Sequence, residues 1–247
     1  MSSPLTTLTR VESALLWREP AAVLFTLALP LLLLALNGSS GNVPQVSFGG
    51  VGIVDVMVPG YLVYVMMTSG LMALPETLAD YRSRGVLRRM RVSPLRPWQI
   101  IGSHALTHLG MIALGVLVVV GVGVAAFGLT LPAAVVPTAM AVSLSAITTV
   151  ALGVLLGSFL PTVRTTQAVA AALYFPAIFV AGAVYPREAL PEFAQRIGDF
   201  LPVTYAVSAI RTAWSQGSVE WSALAVLAGA TVVACVLSVR TFRWESR

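Results

Sequence analysis

Long apolar runs, rather than alternating or heptad patterns, dominate the chain. Six stand out, near Ala21–Leu36, Val58–Leu78, Ile101–Phe127, Pro132–Leu160, Thr165–Val184 and Trp221–Val239. Crossing the hydrocarbon core of a bilayer takes about 20 helical residues. Inside lipid the backbone must satisfy its own polar groups, so each run predicts a transmembrane helix. The third and fourth belong to one block with no Asp, Glu, Lys or Arg from Pro97 to Val163. At about 1.5 Å per residue that block is too long for one span. Phe127-Gly128-Leu129-Thr130-Leu131-Pro132 supplies turn residues in its middle, which predicts a tight hairpin.

Two further segments are patterned but do not read as spans. In Ser3–Glu19, Leu5, Leu8, Val11 and Leu15 recur at helical spacing, Pro4 suits a first helical position, and Arg10, Glu12 and Ser13 fall elsewhere on the wheel. This predicts an amphipathic helix lying in the membrane interface, with Trp17 at headgroup level. In Tyr185–Gly217, Pro191 and Pro202 are each placed to start a short helix. Phe193, Ile197 and Leu201 stripe the first, and Ile210 and Trp214 the second. The expected fold is therefore an all-α membrane protein. It has six transmembrane helices, an N-terminal amphipathic helix over residues 1–19 preceding a membrane domain over 20–247, and short outer helices between spans five and six. The first run is read as a retained span, because its preceding region is long and of mixed charge and Leu36-Asn37-Gly38 is a poor cleavage site.

Composition agrees. Of 247 residues, 57% are hydrophobic and 10% charged, against about 25% charged in a soluble domain. A soluble chain with a charge of +5 would suggest nucleic acid; a membrane chain carries such an excess in cytoplasmic loops, and no nucleic-acid partner is expected. All 15 basic residues are Arg. With six spans, Arg10, Arg18, Arg82, Arg84, Arg88, Arg89, Arg91, Arg96, Arg164, Arg240, Arg243 and Arg247 share one side, and Arg187, Arg196 and Arg211 the other. That split of 12 to 3 places both termini in the cytoplasm. The lone Cys235 excludes an internal disulfide and a Cys-based metal site. His104 and His108, four residues apart, would present two ligands on one helix face but have no third in view, so they read as interfacial histidines and no metal is expected. Glu76 and Asp80, one turn apart, read as partners of Arg82 or Arg84 rather than as a cation relay. Gly153-x-x-x-Gly157 allows close helix approach.

The segment after span two reads YRSRGVLRRMRVSPLRPW from Tyr81. Val86, Leu87, Met90 and Val92 are apolar among arginines, and Pro94 and Pro97 limit the helical pattern. It reads either as a basic anchor that sets topology or as a short helix able to dock into a partner's groove. Met57, Met66, Met67 and Met72 with Tyr61 and Tyr64 in span two, and Tyr174, Phe175 and Phe179 in span five, form adaptable apolar surface. Core packing and lipid contact account for any one of them; together they form a candidate ligand surface.

Three stretches carry a family resemblance. VPGYLVYVMMTSGLMALPETLADYRSRGVLRRMRVSPLRPWQIIGSHAL, FPAIFVAGAVYPREALPEFAQRIGDFLPVTYAVSAIR and the amphipathic segment before span one occur in the order seen in type-2 ABC transporter permeases. The chain resembles the bacterial drug- and antibiotic-export branch in particular, such as daunorubicin-resistance permeases. The resemblance implies a homodimeric permease in the bacterial cell membrane, among lipids, paired with a separate ABC ATPase subunit that binds ATP and Mg. Such a permease implies export of an amphipathic drug, antibiotic or lipid, and a role in antibiotic resistance. It implies a coupling helix at about 81–92, with Arg82, Arg84, Val86, Leu87, Arg88, Arg89 and Met90 contacting the ATPase. It also implies a substrate cavity drawing on Tyr61, Tyr64, Met67, Met72, Tyr174, Phe175 and Phe179. No cofactor and no catalytic residue are expected in the chain itself: a P-loop needs a Lys to reach the phosphates, and the chain has none. The alternatives are a secondary transporter driven by an ion gradient, which favours charged groups at the midplane and internal repeats, and a non-transporting membrane scaffold.

The charge split makes the topology testable. Single cysteines introduced on a Cys235-free background at Ser2 and Ser246 should resist a membrane-impermeant maleimide added outside, while one at Ser40 should react. Outside labelling at Ser2 or Ser246, or protection at Ser40, contradicts two cytoplasmic termini.

Overall fold

A computed structural model describes residues 8–10, 20–38, 53–85, 97–184, 187 and 190–241. The described residues are helices joined by short turns, with no β-strand among them. Helix α1 spans Pro20–Gly38, α2 Ile53–Met67, and a π-helical segment Thr68–Ala73 leads directly into α3, Leu74–Ser83. Next come α4 (Pro97–Phe127), α5 (Val135–Phe159), α6 (Val163–Val180), α7 (Glu192–Gly198), α8 (Pro202–Gln216) and α9 (Trp221–Thr241). Five of these units are long and apolar enough to cross a membrane: 54–83, 99–127, α5, α6 and α9. The first expected span falls on α1, of which Thr26–Gly38 counts as a shorter apolar helix among the described residues. Of the N-terminal amphipathic segment only residues 8–10 are described, and they are helical; the rest of it lies outside the described residues.

Backbone turns close the helices where the sequence places glycine. Gly128 (φ 66°) follows α4, Gly182 (φ 78°) follows α6 and Gly217 (φ 66°) follows α8. All three adopt the left-handed conformation that a side chain disfavours. The expected hairpin is present, α4 and α5 being joined by residues 128–134. Pro191 is the N-cap of α7, and Pro202 occupies the first turn of α8, where a missing N–H costs nothing. The two short helices differ in their surroundings. Ile210 and Trp214 of α8 are buried, whereas Phe193 and Ile197 of α7 are exposed, because α7 is seated on Ala194 and Gly198, the buried residues of its opposite side.

Span two, the continuous unit of α2, the π segment and α3, is the axis of the bundle. Of its most apolar stretch 78% is buried, against 28% for each of 99–127, α6 and α9. Its first half packs on α1, α4, α5 and α8, and its second half on α5 and α6. The most extensive interface of the bundle joins α5 to α9, with Thr148 and Thr231 hydroxyls 2.9 Å apart across it. Lipid provides little hydrophobic drive between helices, so close backbone packing and hydrogen bonds hold such a bundle.

The closest packing is at the expected Gly153-x-x-x-Gly157 motif, and it is within the chain. A Cβ on Gly153 would overlap the Gly70 carbonyl oxygen of the π segment, and one on Gly157 would lie 2.8 Å from Leu78 Cδ1 and 3.1 Å from Pro75 Cα. Gly153→Ala should therefore destabilise the protein by about 1–3 kcal/mol, as overpacking does. Gly110→Ala, where a Cβ has open space, should change stability by no more than about 0.5 kcal/mol. Thermal unfolding of the two variants in detergent, compared with wild type, checks the contrast; equal midpoints would show that this interface tolerates separation.

Candidate functional site

The π segment is the local irregularity around which the polar side chains of the core gather. Its cause is readable in the chain. Pro75 lacks the N–H that would bond Leu71, and a proline ring crowds the preceding turn of a regular helix. Widening that turn relieves the conflict: Leu74 N–H donates to Ser69 O, five residues back instead of four. The widened turn directs consecutive residues to different neighbours. Thr68 Oγ1 donates to Tyr64 O at 2.9 Å and lies 2.6 Å from Tyr174 Oη on α6. Ser69 Oγ lies 3.1 Å from His108 Nδ1 on α4. Gly70 meets α5.

The aromatic candidates divide between core and surface. Tyr64 and Tyr174 rings meet edge to face at 6.0 Å, and Tyr174 meets Phe175 in the same way at 5.3 Å. Tyr61, Tyr64, Met67 and Tyr174 are buried within the chain, Tyr61 with its hydroxyl accepting from Asn37 Nδ2 at 2.5 Å. Met72 is half-buried. Phe175 and Phe179 are exposed, at 56% and 52%. The structure thus brings Tyr64, Tyr174 and Phe175 into one line from the core of span two to the outer face of α6. Tyr61 and Met67 are directed into the interior, and Phe179 lies one turn along α6 from Phe175.

The arginine-rich end is built differently from the sequence expectation. Span two runs as a helix to Ser83, and Gly85 turns with φ 69°. Arg82 therefore belongs to the membrane helix, which ends at Ser83 before the left-handed Gly85. Arg82 is also buried, at 3% exposure. Its Nη1 donates to Leu160 O at 2.5 Å, and its Nη2 to Gly157 O at 2.7 Å and Ser158 O at 3.2 Å. These carbonyls end α5, where helix geometry leaves the last acceptors without partners and the dipole favours a cation. Arg84 is exposed and pairs with Asp80 at 2.8 Å, as expected. Glu76 accepts from Gln167 Nε2 of α6 at 2.5 Å. Val86, Leu87, Arg88, Arg89 and Met90 lie outside the described residues.

His104 and His108, read from the sequence as interfacial histidines, are packed inside the chain. Both are 2% exposed, held between spans two and three. The partners explain the burial: Ser69 for His108, and the Tyr81 ring, edge to face with His104 at 4.9 Å. No group of three or more metal-ligating side chains occurs among the described residues.

At the opposite end, a cluster unforeseen in the sequence ties span two to the α4–α5 hairpin and to α8. Asp55 accepts from Thr130 N–H at 2.9 Å and from Thr130 Oγ1 at 2.6 Å. Trp214 Nε1 donates to Thr130 O at 3.2 Å, and Ala133 N–H to Trp214 O at 2.8 Å. Arg187 bridges Gln195 O at 2.9 Å and Asp199 at 2.5 Å. An acidic residue opening an apolar run was the available signal for Asp55; its distant partner Thr130 had none.

A model of the ABC-2 type transporter family matches residues 4–214. The chain belongs to that family. No curated protein matches the chain. The family is a membrane component of transporters, so this ABC-2 protein is a multi-pass transmembrane permease, and the family in general works with an ABC ATPase. The match extends from the N-terminal segment into α8, covering the basic loop and α7.

Thr68 and Tyr174 join spans two and five of this ABC-2 protein through one hydrogen bond. A double-mutant cycle with Thr68→Val and Tyr174→Phe should give a coupling energy of about 0.6 kcal/mol, the average for such bonds between membrane helices. The measurement is reversible unfolding in mixed micelles. Strictly additive effects would mean that the two hydroxyls do not interact.

Proposed function

We propose that this protein is the transmembrane subunit of an ATP-driven exporter in a bacterial plasma membrane, with both termini in the cytoplasm and six spans. Two copies would assemble with two copies of a separate ATPase subunit, which binds ATP and Mg. The substrate class is an amphipathic drug, antibiotic or lipid, which makes resistance to such a compound the expected phenotype. The observation that carries this reading is the family match over residues 4–214, together with a basic loop directly beyond the buried end of span two. The loop residues Val86, Leu87 and Met90 supply an apolar face for a groove on the ATPase, and Arg84, Arg88 and Arg89 supply rim charges. Phe175 and Phe179, exposed on α6, and the half-buried Met72 are the members of the candidate substrate set accessible to a substrate or to the second copy.

The test uses the chain co-expressed with its ATPase. The purified chain alone should hydrolyse no ATP, and the pair should co-purify. Truncating an apolar anchor costs about 2 kcal/mol or more, while rim charges contribute less. Val86→Asp should therefore release the ATPase or abolish substrate-stimulated hydrolysis, Leu87→Ala should weaken both, and Arg88→Ala should have a milder effect. If Val86→Asp changes neither in a protein that is inserted normally, the loop only sets topology.

A further inference from the structure

We infer that Arg82 is the positioning residue that makes the cytoplasmic ends of spans two, four and five move as one body, so that a displacement of the basic loop reaches α5 and α6 instead of bending span two alone. The inference rests on the reading of the chain as an ATPase-coupled permease.

Three observations meet at this point. The first is the guanidinium itself, buried on span two and bonded to the carbonyls of Gly157, Ser158 and Leu160. Those carbonyls immediately precede Pro161 and Thr162, where α5 turns into α6. An Arg fork spanning several acceptors fixes direction as well as distance, and at 3% exposure the guanidinium is shielded from solvent. The second is the clamp above it. Pro75 and Leu78 lie against Gly157 without room for a Cβ, and Glu76 accepts from Gln167 of α6. The stretch from Pro75 to Arg82 thus holds both α5 and α6, one turn after another. The third is the break on either side of the clamped stretch. Gly85 turns just below Arg82, and the π segment Thr68–Ala73 lies just above. Widened turns are places where a helix bends. A rigid block set between a turn and a hinge transmits a push from the loop to whatever it is fastened to, and its last fastening before the loop is Arg82.

The site differs from a docking contact. Arg82 is buried within its own chain, so its loss leaves the loop's apolar and basic residues available to an ATPase. Loop variants and Arg82 variants therefore separate in their effects.

The experiment uses the complete permease–ATPase complex in lipid nanodiscs, carrying Cys235→Ser and a reporter cysteine, Ala168→Cys, on the exposed side of α6. The rate of maleimide labelling at the reporter is read without nucleotide and after trapping with ATP and vanadate. With Arg82 present, trapping should change the rate by about fivefold or more, the low end of ordinary coupling between sites. Arg82→Gln should keep the ATPase in pull-down and lose that change. Arg82→Lys, whose ammonium cannot fork across the three carbonyls, should give an intermediate response. A full trapping response in Arg82→Gln overturns the inference and leaves Arg82 as a helix cap. If Arg82→Gln does not accumulate in membranes, Arg82→Lys decides: an unreduced response overturns the inference, a reduced one sustains it. If the protein with Arg82 intact neither retains an ATPase nor responds to trapping, the permease reading fails and takes this inference with it.

Discussion

The bundle depends on the close approach of two backbones, where the Gly70 carbonyl of span two lies against Gly153 of α5. In a solvent as apolar as leucine, side-chain hydrophobicity does little to bring helices together. Contact distance and hydrogen bonds must do so. Two glycines without side chains let span two reach the middle of the molecule, and its central position places it against α1, α4, α5, α6 and α8 along its length. The polar links then fall where span two touches each neighbour: Thr68 with Tyr174, Ser69 with His108, Arg82 with the end of α5.

Each end of span two is fastened by a charged group acting on backbone. At one end Asp55 holds the hairpin between α4 and α5 through Thr130. At the other Arg82 holds the end of α5. Both charges sit at helix ends, where unpaired N–H or C=O groups exist for them to meet. Between these ends, among the described residues, span two is linked to its neighbours through hydroxyls and an imidazole, Thr68 with Tyr174 and Ser69 with His108.

Much of the architecture was legible because lipid imposes a simple grammar. Uniform apolar runs located the helices α2 to α6 and α9, with ends up to about five residues from those observed, and Pro and Gly marked α7, α8 and the hairpin. The less legible features are those decided by neighbours distant in sequence. Tyr61, Tyr64 and Met67 look like ligand surface on a wheel, yet they are buried within the chain, where Asn37 donates to the Tyr61 hydroxyl and the Tyr174 ring of α6 packs edge to face on Tyr64. His104 and His108 look interfacial for the same reason: nothing nearby in sequence announces Ser69 or Tyr81. Arg82 belongs with five neighbouring loop arginines by pattern, and only the register of span two, fixed by the π segment, turns it inward. The aromatic line from Tyr64 to Phe175 shows a candidate site half legible, its surface member chosen by which face of α6 remains uncovered.

The widened turn at Thr68–Ala73 has one more consequence. It places two helical phases on a single transmembrane segment, the upper set by α1, α4 and α8 and the lower by α5 and α6. A helix drawn on one continuous wheel through residues 54–83 assigns the lower half to the wrong azimuth, so substitutions above and below the turn sample different faces of the protein even when their spacing is a multiple of a helical repeat. An inserted or deleted residue anywhere in this span would rotate one half against its neighbours.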